Sequence, residues 1–491
     1  MKPLIHLPPL SPLANQWMSD LMANKPLLDT LFQAHGSPLN IHYLPAMDEN
    51  IHTFRKVFEK HGLPHQLYYA RKANKTQSVV ERAAQNGIGV DTASYRELKQ
   101  ALEAGVSPEL LVVTAAIKTA QLLELAVEHN VLVIIDNPDE CELLNSIAKK
   151  HKKHIRIGFR VSGFYAEDKK LYSRFGFDIN AVAPFITTGC FPDGGESHLV
   201  YKGLHFHLDG YSTTERGAAL TQCIVLAKRL ETQGLKTEFI DIGGGVLVNY
   251  LQHKDEWNNF QQELKKAVQG KCDEITFNND GLGFQLIDGN LHGTLDAYPY
   301  YNEENGATFL ENILNYRYKN YPSVSELLQG KDIELRMEPG RSLLNQVGMT
   351  LARVVFRKKD ARGRWLVGLE MNMSQLKSSS ADFLLDPLTA LEPAEAAPTE
   401  VYFTGAYCLE QDILLKRKIA LPHLPQVADV IGFVNTAGYL MHFYETQAHL
   451  FELSTNLSLK SAKEQYVFED FKEECSEFDI RLPDLRRMTN S

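Results

Sequence analysis

Three short stretches of the chain combine residue types that suit lysine chemistry beside a bound phosphate. Lys72 stands in LYYARKANK (67–75), directly after a run of β-favouring residues. The glycines 243–245 follow the apolar run EFIDI, and consecutive glycines let backbone N–H groups approach a phosphate with no Cβ in the way. Glu338 and Arg341 share the stretch EPGR, in which the guanidinium can bind phosphate through two parallel hydrogen bonds.

Short apolar runs that recur between residues 67 and 340 must position these groups. Most are rich in Val, Ile and Leu without strict alternation, as in strands buried on both faces, and helix-like segments separate them. This alternation predicts an α/β fold with a parallel sheet, either a closed (β/α)8 barrel of the TIM type or an open doubly wound sheet. The eight runs are 67–71, 88–91, 110–114, 131–136, 155–161, 203–208, 238–243 and 333–337.

Two parts of the chain depart from the repeat. Residues 250–332, rich in Asn, Gly and Tyr, separate the seventh and eighth runs by more than one helix. They predict an insertion over one face of the barrel, with helices at 254–268 and 306–316. Residues 341–491 lose the alternation and predict a mostly β domain. We therefore expect a barrel at 41–340 and a β-rich domain formed by 1–40 and 341–491.

The residues that follow the predicted strands fit one cofactor. In a (β/α)8 barrel the chemistry lies at the carboxyl ends of the strands, and the loops after strands 7 and 8 often hold phosphate. Lys72 follows strand 1, and Glu338 follows strand 8. With His207 from strand 6 these groups suit pyridoxal 5'-phosphate, in which Lys72 would form the Schiff base and Glu338 would pair with the pyridine nitrogen. His205 is expected to be structural, because only one imidazole can stack on the ring.

Seven motifs resemble, in order, those of the fold-type III decarboxylases, the ornithine and diaminopimelate decarboxylase group whose barrel is related to that of alanine racemase. The resemblance covers about residues 40 to 455 and implies a (β/α)8 barrel with a β-sandwich or barrel-like second domain. The motifs are YARKAN (69–74), GVDTASYREL (89–98), LHFHLDG (204–210), DIGGG (241–245), EPGRS (338–342), GAYCLEQD (405–412) and NTAGYLM (435–441).

The resemblance also implies roles for single residues. Lys72, His207, Glu338 and Cys408 would be catalytic, with Cys408 as the proton donor after CO₂ has left. The family's sites are built across a homodimer, so Cys408 and Asp412 would reach the partner's cofactor and a monomer would be inactive. The cofactor would be held by Lys72, Asp91, Arg160, His207, Gly243, Gly244, Gly245, Glu338, Gly340, Arg341 and Tyr439.

Departures from the family bear on the substrate. Leu409 stands where the family has an acidic residue that reads the substrate's distal amine, and an apolar side chain cannot pair with a buried ammonium. Glu410, Asp412 or Asp386 could contact the substrate instead. These differences predict a decarboxylase for an amino acid or amino-acid conjugate that is neither plain ornithine nor plain diaminopimelate, in siderophore or other specialised metabolism.

Bulk composition excludes some classes and leaves two rivals. A net charge of −10 with interleaved signs argues against a nucleic-acid partner. Six scattered cysteines show no zinc-ligand spacing, so no metal is expected, and the chain lacks a signal-peptide core or an 18-residue apolar run. We expect a cytoplasmic enzyme without a membrane partner. The alternatives are a racemase with the same cofactor, which would act without CO₂ release, and a catalytically inactive regulatory homologue.

Overall fold

Eight parallel strands form the centre of the structure, a computed structural model that describes residues 7–190, 197–378, 383–394, 397–460 and 466–470. Each strand coincides with one of the eight predicted runs. The sixth begins four residues earlier than predicted and ends at His205, so His207 lies beyond the strand. The strands are β1 His65–Ala70, β2 Gly89–Thr92, β3 Leu111–Val113, β4 Leu132–Ile135, β5 Ile155–Ser162, β6 Leu199–His205, β7 Phe239–Asp241 and β8 Glu334–Met337.

The sheet closes into a barrel, which confirms the predicted (β/α)8 fold and rejects the open sheet. Sequential neighbours pair in parallel from β1 to β5, β6 pairs with β5 and β7, and β8 pairs with both β7 and β1. Val, Ile and Leu dominate β3 and β4, where every residue is buried. This burial on both faces explains why the sequence shows continuous apolar runs instead of alternation.

Helices cover the outside of the barrel, and several begin at a side-chain cap. The side chain of Asn137 accepts a hydrogen bond from the backbone N–H of Glu140, and that of Ser212 accepts one from the backbone N–H of Glu215. These caps fix the residues at which the two helices begin. The helices are Gln16–Ala23, Lys25–His35, Pro45–His61, Gln77–Gln85, Tyr95–Glu103, Ala120–His129, Pro138–Lys150, Thr213–Glu231, Lys254–Val268, Gly306–Asn315 and Val324–Leu328.

The long connection between β7 and β8 is only partly an insertion. Gly306–Asn315 packs between Pro45–His61 and Thr213–Glu231, and so belongs to the helical layer of the barrel. The residues before it reach the β domain instead. Glu274 pairs with Arg364 at 3.0 Å, and the ring of Phe277 lies 5.2 Å from that of Tyr402. The extra segment therefore joins the barrel to the β domain beside the loop that follows β7.

Nine strands form the sheet of the second domain. The strand Leu39–His42 lies between two strands from the other end of the chain, so the residues before the barrel complete the sheet that follows it. Gly348–Lys359 begins seven residues after Arg341 and is the longest strand. The strands are Leu39–His42, Gly348–Lys359, Trp365–Leu369, Leu388–Ala390, Thr399–Thr404, Ile419–Leu421, Val430–Val434, Thr455–Leu459 and Phe468–Asp470.

Within these described ranges, no helix is both long enough and apolar enough to cross a membrane.

Candidate active site

A cavity of about 680 Å³ lies at the carboxyl ends of the barrel strands. Loops after β1, β6, β7 and β8 line it, and Tyr439 and Phe443 of the β domain close one side. Most of the predicted cofactor residues meet here. The lining residues on which the site depends are Lys72, Thr114, Arg160, His205, His207, Asp209, Tyr211, Gly244, Gly245, Glu338, Gly340, Arg341, Tyr439 and Phe443.

Lys72 stands on a 3-10 turn, Arg71–Ala73, that follows β1 directly. The carbonyl of Ala73 accepts from the backbone N–H of Tyr439 at 2.7 Å, so the β domain fixes the turn. Burial disfavours the charged amine, but the nearby Asp91 carboxylate and Tyr439 outweigh it and raise the pKa of Lys72 above its usual value. The turn therefore holds a charged amine that faces the cavity.

Glu338 extends from the end of β8 into the floor of the cavity and is buried. Its backbone N–H donates to the carbonyl of Gly243 at 2.9 Å, which ties it to the glycine loop. Burial, reinforced by the Asp91 charge, raises the pKa of Glu338 to about 8. Its Oε1 has no hydrogen-bond partner among the residues described, although His205 Nε2 lies 3.3 Å away. A buried acceptor without a donor marks the place where a ligand donor fits.

The two histidines of β6 and its loop differ in their surroundings. His205 is buried between Glu338 and Asp241, and burial followed by the Arg160 charge lowers its pKa to about 3. His207 is less buried and reaches the cavity, and burial with the Lys72 charge lowers its pKa to about 3 as well. Both imidazoles are therefore neutral near pH 7. Both histidines line the cavity, so the roles expected of them, a ring contact for His207 and a structural part for His205, stay predictions.

The glycines 243–245 lie so close to neighbouring backbone and side-chain atoms that no larger residue would fit. Gly243 has φ +66°, and a Cβ there would lie 2.8 Å from the carbonyl of Phe206. A Cβ on Gly244 would lie 2.5 Å from the Glu338 carbonyl. The loop after β7 is thus packed so closely against its neighbours that only backbone atoms can line the cavity at this point.

Arg341 provides a cation without a carboxylate partner. Its guanidinium lies 4.5 Å from the ring centre of Tyr298 and 5.1 Å from that of Tyr439, and it makes no ion pair within the described ranges. Tyr298 itself is held by the backbone N–H of Val248, which donates to its hydroxyl at 2.8 Å. A buried guanidinium that is surrounded by rings and not by acids suits an anionic ligand.

Asp91 and Arg160 form a network behind Lys72. The hydroxyl of Thr114 donates to Asp91 Oδ1, and Arg160 donates to the carbonyl of Thr114. Arg160 also pairs with Asp136 at 3.0 Å. Asp91 is buried and does not line the cavity, but its charge acts on Lys72. The network fixes the charges around the amine with residues from four successive strands and their ends, β2 to β5.

The residues predicted to contact the substrate lie away from this cavity. Cys408 and Leu409 are exposed, and Leu409 keeps 52 % of its surface accessible. Asp412 is buried and accepts from the backbone N–H groups of Tyr407 and Met373 at 2.7 and 2.8 Å. Within this chain Asp412 therefore shapes the loop that carries Cys408. Glu410 is exposed on the same loop.

Asp386 is also distant from the cavity lining. Its carboxylate pairs with Arg417 at 2.9 Å and accepts from the backbone N–H of Leu10 at the same distance. These bonds give it a structural part in joining the N-terminal segment to the β domain.

The cavity also contains residues that motif reasoning missed. Tyr211 lines it from the loop after β6, and Tyr298 flanks Arg341 from the long connection. Tyr211 is close to the LHFHLDG motif, and the Tyr-rich stretch YPYYNEENGA contained Tyr298. The motifs predicted which strand ends converge, but no spacing indicated which part of an 83-residue connection would turn back to the site.

Together these groups fit pyridoxal 5'-phosphate. One cavity contains an amine for the aldehyde of the cofactor and a buried acceptor for its ring nitrogen. The same cavity contains a loop lined by backbone atoms and an unpaired guanidinium, which suit its phosphate. The fold and site define a (β/α)8-barrel enzyme with a lysine-bound type of cofactor site, completed by a β domain.

Comparison with known proteins agrees with this class. Residues 45–280 match the family model "Pyridoxal-dependent decarboxylase, pyridoxal binding domain". An uncharacterised protein of Sinorhizobium fredii, y4yA, is 29 % identical over 451 residues, which cover 90 % of this chain and 92 % of that protein. Diaminopimelate decarboxylase of Staphylococcus aureus is 23 % identical over 419 residues, which cover 84 % of this chain and 86 % of the enzyme.

A solved structure shares the fold. The diaminopimelate decarboxylase of Helicobacter pylori, solved in complex with L-lysine, superposes with a TM-score of 0.66 at 20 % identity and covers 91 % of this chain and 96 % of that one.

The chain thus contains the pyridoxal-binding domain of the pyridoxal-dependent decarboxylases, and its low identity to their diaminopimelate members fits a divergent branch. The protein is an amino acid decarboxylase, a carboxy-lyase whose cofactor is pyridoxal 5'-phosphate.

Proposed function

We propose that this enzyme removes the α-carboxylate from an amino acid or amino-acid conjugate that is neither plain ornithine nor plain diaminopimelate. The convergence of Lys72, Glu338 and Arg341 on one cavity carries the proposal. Bound pyridoxal phosphate supplies the electron sink for the pair left when the bond between Cα and the carboxylate breaks.

The residues of this chain would divide the work. Lys72 holds the cofactor covalently through Nζ, with Asp91 and Arg160 fixing the charge around that amine. Glu338 would keep a proton at the ring nitrogen, and the neutral imidazole of His207 would pack against the ring and exclude water. The phosphate would be bound by a set from three loops, namely Gly243, Gly244, Gly245, Gly340, Arg341 and Tyr439.

Completion of the site requires a second copy of the chain. Cys408 and Leu409 are exposed on a firmly held loop, and they lie outside their own chain's cavity. In a homodimer with shared sites, Cys408 would deliver the proton that replaces the carboxylate on Cα, and Leu409 would face the substrate. Contact with the substrate across the subunit boundary is also the only way in which we propose a substrate role for Glu410, Asp412 and Asp386.

Three aromatic side chains in the cavity support a specialised substrate. Phe175, Tyr211 and Phe443 line the cavity, and Leu409 offers no partner for a distal ammonium. A conjugated or otherwise neutral side chain would avoid the cost of burying an unpaired charge. Siderophore assembly or another specialised pathway would use such a substrate.

A panel of free and conjugated L- and D-amino acids, scored for CO₂ and amine release, tests this function. We expect a conjugated or neutral substrate to exceed ornithine and diaminopimelate in kcat/KM by about tenfold or more, because an unpaired ammonium is costly. Lys72→Ala should abolish release, whereas Lys56→Ala, at an exposed helix position, serves as the control. A preference for ornithine or diaminopimelate would refute the substrate proposal, and racemisation without CO₂ release would refute decarboxylation.

A further inference from the structure

We propose that Arg216 is a positioning residue for the cofactor phosphate, because it turns three backbone N–H groups of two separate loops toward the cavity. The inference rests on the pyridoxal phosphate site described above and adds to it a residue outside the motifs of the family. Arg216 lies on the helix Thr213–Glu231, behind the loops that follow β6 and β7.

One nitrogen of the guanidinium joins the two loops. Arg216 Nη2 donates to the carbonyl oxygens of Leu208 at 3.1 Å, Gly210 at 2.9 Å and Gly244 at 3.3 Å. The side chain is almost fully buried, with 1 % of the residue's surface accessible. A fixed planar group with several donors can hold several carbonyls at once, which an ammonium on a flexible stem does less well.

The geometry of the peptide bond gives these contacts a consequence on the cavity side. In a planar trans peptide the C=O and N–H groups point in opposite directions. Carbonyls drawn toward Arg216 therefore direct the next N–H groups, those of Asp209, Tyr211 and Gly245, away from it. All three residues line the cavity, and none of the three N–H groups has a hydrogen-bond partner in the described part of the chain.

The positive charge of Arg216 is only partly balanced, since the carboxylates of Glu215 and Asp209 act on it without forming an ion pair. It forms no ion pair with any carboxylate that the structure describes, and its partners are neutral carbonyls and the ring of Phe309, 5.5 Å away. Burial lowers the pKa of Arg216 to about 10, so the group remains charged at pH 7. A buried cation without an anion is costly, and a phosphate dianion at the adjacent N–H groups would relieve that cost.

The loop sequence is matched to this guanidinium. Gly245 has φ +81°, and a Cβ at that position would collide with Arg216 Nη2. Gly210 has no side chain and the Asp209 carboxylate accepts hydrogen bonds, so a phosphate at this loop would depend on the backbone N–H groups that Arg216 orients.

The test compares pyridoxal 5'-phosphate with pyridoxal, which lacks the phosphate, by titration into the cofactor-free full-length protein. For Arg216→Met we expect the affinity for pyridoxal phosphate to fall by about tenfold or more, the range expected when hydrogen bonds to a charged group are lost. The affinity for pyridoxal should change far less. Arg229→Met, on the exposed face of the same helix, is the matched control, and Arg216→Lys should fall between the two.

An equal loss of affinity for both compounds, or no loss, would overturn the inference, since a general disturbance of the fold does not discriminate by phosphate. Thermal unfolding with and without inorganic phosphate gives a second measurement: phosphate should raise the midpoint of the wild type more than that of Arg216→Met. If Arg216→Met does not fold, the same two titrations of Arg216→Lys decide by the same criterion. A wild-type protein without preference for the phosphorylated compound would contradict the cofactor site itself.

Discussion

Single residues of the site act as a group of buried charges. Lys72 and Arg160 lie close enough to Asp91 and Glu338 for the four charges to act on one another, and Asp241 lies near Glu338. Burial and the Glu338 charge raise the pKa of Asp241 to about 7. We infer that the cofactor-free protein binds protons at this site that the unfolded chain releases.

This inference predicts how stability depends on pH. The pKa of Glu338 rises from its ordinary 4.5 to about 8 on folding, so the folded chain keeps a proton that the unfolded chain loses between these values. The contribution of Glu338 is therefore fully present below pH 4.5 and is lost as the pH rises toward 8. In Glu338→Gln the free energy of unfolding should decrease less steeply over this interval, by up to about 1.4 kcal/mol per pH unit.

Urea unfolding of the cofactor-free protein at pH 5, 6.5 and 8 measures this slope, with Glu109→Gln at an exposed glutamate as the control. Identical slopes for Glu338→Gln and the wild type would show that Glu338 ionises in the folded chain as it does in water.

For single residues, the sequence predicted which side chains reach the cavity better than it predicted what surrounds them. Lys72, His207, Glu338 and Arg341 could be placed because each follows a strand, and the carboxyl ends of barrel strands converge. Arg216 could not, since an arginine four residues into a helix reads as a surface charge. Only the fold shows that its helix begins directly under two loops.

Among the elements, the turn that carries Lys72 is where barrel and β domain meet. Asn74 donates to His42 Nε2 at 3.2 Å and to the carbonyl of Ala437 at 3.1 Å. It also accepts from the backbone N–H and the hydroxyl of Thr76. One buried amide thus joins the strand Leu39–His42, the loop before Tyr439 and the turn itself.

Removal of this amide should disturb both stability and the cofactor site. In Asn74→Ala the groups that now bond to the amide would stay buried without partners, at a cost of about 1–3 kcal/mol. We expect a lower midpoint of urea unfolding and weaker binding of pyridoxal phosphate, because the Lys72 turn loses its attachment to the β domain. Asn290→Ala, on an exposed hairpin, should change neither. Unchanged cofactor affinity in Asn74→Ala would mean that β1 alone positions Lys72.

The sequence predicted the strands and helices that have a clear apolar pattern, but it did not predict which elements pack against one another. All eight strands agree with apolar runs of the sequence, because burial on both faces leaves a direct compositional record. The helix Gly306–Asn315 was expected within an insertion, but it lies in the barrel's own helical layer. Its amphipathic pattern predicts a helix, yet the surface that the helix covers depends on the path of the preceding residues.

For the whole molecule, exposed apolar side chains occur both at the cavity and on the loop that carries Cys408. Leu409, Phe443 and Tyr444 remain 52 %, 46 % and 46 % exposed, although Phe443 also lines the cavity. Exposed apolar groups that lie together on a surface are typical of a protein interface. This supports the proposed homodimer, in which the Cys408 loop of each copy completes the cavity of the other.

A mixture of two defective variants tests the shared site. Lys72→Ala lacks the cofactor lysine, and Cys408→Ala lacks the proposed proton donor, so each homodimer should form the amine product poorly. Random pairing of equal amounts places both defects in one site of every mixed dimer and leaves the other site intact. Half of the dimers are mixed, so amine formation should recover to about a quarter of the wild-type rate.

The control is a mixture of the double variant Lys72→Ala/Cys408→Ala with Lys72→Ala. It should restore no activity, because neither chain has the cofactor lysine. If Cys408 instead served its own chain, no mixture of the single variants would exceed the sum of their separate rates.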